Sequence, residues 1–149
     1  MTDQDLGKGD TPYPNRQVTQ DLPVKAALVF VKGELATIDA NGFVIKLTST
    51  RIKGLVQIKN AVTGGSGDGD VTVSCLRVGS RVLLSLPINA KAGDLLQING
   101  TNGTGNLVVS AATVDTANLS VGRLFELYRN TALKATAADL GVIDMGISG

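Results

Sequence analysis

From Lys25 onward, short apolar runs alternate with breaks rich in glycine, asparagine and aspartate. Residues 26–31 form an apolar, β-branched run that ends at the turn Lys32-Gly33, and residues 35–38 continue as strand. Asp39-Ala40-Asn41-Gly42 predicts a hairpin, because Asn-Gly readily takes the positive φ angles of a tight turn. Beyond it, Phe43, Ile45 and Leu47 alternate with Val44 and Lys46, and residues 54–58 read as the next strand. Val71, Val73 and Cys75 alternate with Thr72, Ser74 and Leu76, the period of a half-buried strand. Residues 81–86 follow a Gly79-Ser80 turn and stop at Pro87. Further strands are predicted over residues 95–98, 107–111, 121–128 and 142–147. One stretch, residues 131–140, has helical character: it is alanine-rich and Gly141 stops it.

About eight to ten short strands with turn signals between them make an all-β chain, a sandwich- or barrel-like domain with at most one short helix. No internal repeat is evident. Residues 1–24 read differently, as an extended N-terminal arm ahead of a β-rich domain over residues 25–149. The arm carries Pro12, Pro14 and Pro23, which lack an amide donor and block central-strand pairing. It shows no apolar period. Two readings stay open for it: a disordered terminus, or an arm that orders on a neighbouring subunit and reaches roughly 70 Å at about 3.3 Å per residue. In the second reading Tyr13, Arg16, Val18, Leu22 and Pro23 are the candidate contacts with that subunit.

Composition narrows the function classes. Hydrophobic residues make up 43% of the 149, so the chain is not compositionally disordered. Charged residues are 18%, below the roughly 25% of ordinary soluble domains. Weakly charged surface tolerates contact with other protein. The net charge of +1 is scattered, which argues against a nucleic-acid partner. No apolar stretch approaches the roughly 18 residues of a membrane span, so no membrane partner is expected. The first ten residues are acidic and polar and lack the basic start and apolar run of a secretory signal. Histidine is absent, which removes the side chain that titrates near neutrality and the commonest transition-metal ligand. These features predict a non-enzymatic protein with no cofactor and no metal.

Residue clusters that could carry chemistry have plainer readings. The loop at residues 64–70 places Asp68 and Asp70 two apart, as in calcium loops. It resembles one copy of a glycine-rich calcium repeat, but Gly69 stands at the expected aspartate position. A connector is the better reading. The loop at residues 100–106 has three glycines but no helix after it and no Gly-Lys-Ser/Thr, so phosphate binding is not expected. Asn99, Asn102 and Asn118 head glycosylation-type triplets that carry little weight without a secretory signal. Cys75 stands alone and in phase with Val71 and Val73, which predicts a buried, inert thiol. Glu34 and Glu126 are the only glutamates; a glycosidase pair built from them or from the aspartates lacks the usual aromatic platform, since aromatic residues are 3% and tryptophan is absent. Around Arg123, Glu126 and Arg129, alternation puts Arg123, Phe125 and Leu127 on one side and Leu124, Glu126 and Tyr128 on the other. Neither side is cleanly apolar, so a solvated edge and a subunit-covered face both remain open.

Taken in order, several short motifs are similar to those of tailed-bacteriophage capsid decoration, or cement, proteins. They are Val31-Lys32-Gly33-Glu34-Leu35-Ala36 followed by Ala40-Asn41-Gly42-Phe43, then Gly54-Leu55-Val56, Gly69-Asp70-Val71-Thr72-Val73, residues 92–96 and Val121-Gly122-Arg123-Leu124. The resemblance spans roughly residues 25–147. It implies a β-tulip-like head-surface protein, made in the host cytoplasm and placed on the outer capsid surface of the virion. The implied partners are the major capsid protein and further copies of the chain, a homotrimer being favoured, at three-fold positions where capsomers meet. The longer stretch at residues 131–140 and the enlarged glycine-rich loops depart from that pattern. The alternative expectation is another virion or surface-assembly β module, such as a tail or host-adhesion component.

Overall fold

The computed structural model describes residues 6–47, 54–98, 107–109, 120–129, 132–136 and 139–146, with backbone alone for 107 and 108. Its strands are β1 (Thr19–Pro23), β2 (Val29–Phe30), β3 (Leu35–Ile38), β4 (Val44–Lys46), β5 (Val56–Ile58), β6 (Val62–Thr63), β7 (Thr72–Arg77), β8 (Arg81–Ser85), β9 (Leu95–Ile98), β10 (Leu107–Val109), β11 (Ser120–Leu127) and β12 (Leu140–Met145). They pair into a first sheet, β1-β7-β5-β3-β4, a second sheet, β10-β9-β11-β12-β8, and a ribbon, β2-β6. All named pairs are antiparallel. The fold is all-β and sandwich-like, with no helix among the described residues.

The first sheet curls until its edges touch. Val24, just past β1, forms a single parallel bridge with Val44 on β4. Its N–H donates to Val71 O at 2.9 Å, and Lys25 N–H donates to Val44 O at 3.2 Å. One bridge brings the edges together without closing a barrel. Inside the curl lies an inner core that includes Leu22, Val24, Val56, Ile58 and Cys75. Phe30 on the ribbon plugs it, with Leu28 and Val62 packed alongside. On its convex side the same sheet meets the second sheet over another core, which includes Leu35, Leu76, Leu84, Leu96, Leu124 and Ile143.

This arrangement explains why β3 and β5 are buried on both faces. Side chains alternate across a strand, so Val56 and Ile58 enter the curl while Gln57 points toward the second sheet. Gln57 is fully buried, and its amide donates to Gly33 O at 3.2 Å and to Leu83 O at 3.0 Å. It therefore clasps the two sheets through polar bonds within an otherwise apolar layer. Its Oε1 has no partner among the described residues.

Most predicted strands form within a residue or two of expectation. In the hairpin between β3 and β4, Asp39 Oδ1 accepts from Asn41 N–H at 2.8 Å and Phe43 N–H at 2.9 Å. Four expectations need correction. The run at residues 26–31 pairs only as β2: Phe30 is buried and Leu28 packs partly beside it, while Val29 and Val31 stay exposed. On β7 the half-buried alternation holds from Thr72 to Cys75, with Val73 and Cys75 filling the curl, and ends at Leu76, which fills the inter-sheet core. In residues 131–140 positions 132–134 are bends, 135, 136 and 139 are irregular and Leu140 opens β12, so the described positions form no helix. The alternation expected around Arg123 fails because a bulge between Leu124 and Glu126 shifts the register, and Leu124 and Leu127 both reach the inter-sheet core.

The boundary placed at residue 24 does not coincide with a break in structure. Thr19–Pro23 is a full edge strand, registered on β7 from Thr19↔Leu76 to Pro23↔Thr72. Pro23 is tolerated because it ends the strand at a sheet edge. Leu22 and Val24 are core residues.

Candidate interaction surface and N-terminal strap

Residues 6–17 lie over the domain as a strap ahead of β1. Their docking begins where two backbones cross. Gly9 has φ near +90° and is buried; a Cβ there would meet Lys32 Cγ at 2.8 Å and Gly33 N at 3.0 Å. A Cβ on Gly33 would meet Lys8 Cβ at 2.3 Å. Only glycine on both segments permits this approach. The turn beside it is closed by Asp10, whose carboxylate accepts from Gly7 N–H at 2.8 Å and from Lys32 Nζ at 2.7 Å. The Gly7 amide first, and then Lys32, hold the Asp10 carboxyl below its usual range.

Farther along, Tyr13 meets the second sheet. Its ring stands edge-on to Phe125, 5.8 Å between centroids at 87°. Its hydroxyl donates to Glu126 Oε1, and that bond raises the phenol pKa above its ordinary value. The Arg81 guanidinium lies 3.8 Å from the Phe125 ring centroid and 5.0 Å from that of Tyr13. Asp144, opposite Arg81 in the β8–β12 register, accepts from Arg81 Nε at 2.8 Å. Arg16 adds its guanidinium at 3.9 Å from the same carboxylate oxygen, and its carbonyl accepts from Arg81 N–H at 2.9 Å. That last bond fills the side of β8 that faces away from β12.

The five candidate contact residues therefore fall in three places. Tyr13 and Arg16 meet in one cluster with Arg81, Phe125, Glu126 and Asp144. Val18 is separate: its backbone brackets the Ser80 hydroxyl, at 2.8 Å from N–H and 3.2 Å from O, while its side chain is 48% exposed. Leu22 faces the inner core and presents no surface, and Pro23 is half-buried beside Thr72. Arg81, Asp144 and Phe125 as receivers of the strap carry no sequence signal, because the strap meets them only across the fold.

Elsewhere, the filled cores leave apolar side chains outside. Ile88 is 63% and Leu133 88% exposed. They flank a paired loop crossing in which Asn89 N–H donates to Ala135 O at 2.9 Å and Ala135 N–H donates to Ala90 O at 2.8 Å. Val78 is also exposed, next to Gly79, where an added Cβ would meet Val18 Cγ2 at 3.4 Å.

Other candidate chemistry has local partners. Asp68 accepts from Ala26 N–H and Lys25 Nζ, both at 3.0 Å, and Asp70 closes its own loop through Gly67 N–H at 2.8 Å. Among the described residues no three acidic, cysteine or histidine side chains converge as a metal site would require. Glu34, at the head of β3, accepts from Val31 N–H at 3.1 Å and Lys46 Nζ at 2.9 Å, whereas Glu126 sits on the second sheet bonded to Tyr13. Cys75 is buried, and desolvation pushes its thiol up to about 11. The loop at residues 100–106 and the triplets at Asn99, Asn102 and Asn118 lie outside the described residues. Compared with family models, curated proteins and solved structures, the chain matches none.

Proposed function

We propose that this protein is a non-enzymatic virion component that binds the outer surface of a tailed-phage capsid, where it cements the junctions between capsomers. The observation that carries the reading is the pair of large apolar side chains, Ile88 and Leu133, left outside two filled cores on either side of a hydrogen-bonded loop crossing. Exposed apolar groups of this kind mark protein contact sites when they cluster, and a rigid mount reduces the ordering cost of binding. The low charge of the chain and the order of its motifs support the same reading. Its partners in this reading are the major capsid protein and further copies of itself, with a trimer favoured. Contacts that exist only when capsomers are correctly placed stabilise the assembled shell by mass action, and repetition over the lattice sums them.

The test is addition of purified protein to undecorated shells of its own phage. Saturable binding in fixed stoichiometry and a higher rupture temperature are expected, and Ile88→Ser with Leu133→Ser should weaken both. Full-length protein that neither binds nor protects shells would overturn the proposal. A truncation meant to test the N-terminal segment must stop at Gln17, because removing residues 18–24 takes away β1 and two core residues.

A further inference from the structure

We propose that residues 6–17 form a latch that opens as a unit about Gln17 and Val18 while both cores stay folded. The inference does not depend on a capsid partner. Opening would uncover the outward backbone of β8 at Arg81, the Phe125 ring and the Gly33 crossing.

Three observations carry it. No side chain of residues 6–17 belongs to either hydrophobic core, although Leu22 and Val24, a few residues on, belong to the inner one. The strap is held at separate points: the Gly9–Gly33 crossing, the Asp10–Lys32 pair, the Tyr13 cluster and the Arg16 carbonyl on Arg81 N–H. Between the last of these points and β1 the fit is imperfect, since Gln17 Nε2 is buried without a partner among the described residues. A segment held by separate surface contacts and contributing no side chain to either core, with an orphaned donor at its end, belongs to the low-stability range of local openings. Pro12 and Pro14 restrict backbone rotation within the strap, which favours movement of the whole segment over gradual fraying.

β8 supplies its own internal comparison. Met145 N–H donates to Ser80 O and Leu86 N–H donates to Asp139 O, so alternation directs the Val82 and Leu84 amides to β12. The Arg81 amide points the other way, to the strap. Neighbouring amides on one strand thus report two different openings.

The experiment is native-state hydrogen exchange on the full chain, followed residue by residue at rising denaturant. The Arg81 amide should exchange at least tenfold faster than Val82 and Leu84, with a rate nearly independent of denaturant. In Gly9→Ala, where a Cβ meets the Lys32 and Gly33 atoms, Arg81 exchange should rise at least another tenfold while Val82, Leu84 and the melting temperature hold. Exchange of Arg81 that tracks Val82 and Leu84 in rate and denaturant slope would overturn the latch. So would a Gly9→Ala variant that loses protection equally at all three positions.

Discussion

Two halves of one N-terminal stretch are attached to this protein in opposite ways. Residues 19–24 are bound by a strand ladder and by Leu22 and Val24 in the inner core. Residues 6–17 are bound by a glycine crossing, a salt bridge and an aromatic–arginine stack. Both look alike in composition, since each is polar and proline-punctuated. The difference is geometric: β1 adds to an existing edge and turns alternate side chains inward, whereas the strap crosses surfaces that are already complete. A segment's contribution to stability therefore follows from what it buries, and its polarity alone is a poor guide.

Substitutions on the core-anchored half should give the largest effects. Val24→Asp places an unpaired carboxylate in a fully buried site at the bridge to Val44. It should cost about 4 kcal/mol or more, visible as loss of cooperative urea unfolding at ordinary temperature. Leu22→Ala should cost roughly 2–4 kcal/mol by the same assay. If Val24→Asp left the midpoint unmoved, the bridge between the sheet edges would not exist in solution.

On the strap, effects should be several-fold smaller. Tyr13→Phe and Asp10→Asn each remove a largely exposed polar contact, so about 1 kcal/mol or less is expected in global stability. Their pH signatures differ in sign. The bond to Glu126 raises the Tyr13 pKa above 10.0, so its contribution is complete below that value and is lost as pH climbs through the higher native one. Titration of the tyrosinate ultraviolet band, with Tyr13→Phe as the reference, checks this. Asp10 is lowered from 3.8, first by the Gly7 amide and then by Lys32. Its contribution is present above 3.8 and is lost as pH falls through the lower native value. Acid titration of wild type against Asp10→Asn measures that difference.

The smallest effect lies in the turn that follows β1. Ala27 holds φ near +63°, a left-handed conformation disfavoured for alanine. Ala27→Gly relieves that strain and loses part of it again to chain entropy, for a net gain of about 0.5 kcal/mol. Thermal unfolding should register a small upward shift.

Much of the fold is legible in the sequence because turn chemistry is local. Asn41-Gly42 predicts the hairpin, and Leu95–Ile98 forms within its predicted bounds. Less was legible where one face of a segment depends on a distant partner. β1 lacks an apolar period because only Leu22 and Val24 turn inward. The apolar run at residues 26–31 contributes one ring to the core, and a bulge defeats simple alternation at Phe125. Of the proposed contact residues, Tyr13 and Arg16 share a cluster, but their receivers could not be read from sequence. Tyr13 and Glu126 are 113 positions apart.

By itself, then, the sequence determines an all-β chain, most of its strand and turn positions, and the scarcity of charge and of titratable chemistry. Those properties follow from backbone preferences and side-chain types that each residue carries wherever it sits. Tertiary structure alone decides that the first sheet curls until Val24 meets Val44, that β3 and β5 are buried on both faces, and that a polar segment divides into a core strand and a surface strap. These outcomes depend on hydrogen-bond partners and closed spaces that exist only once distant residues have met.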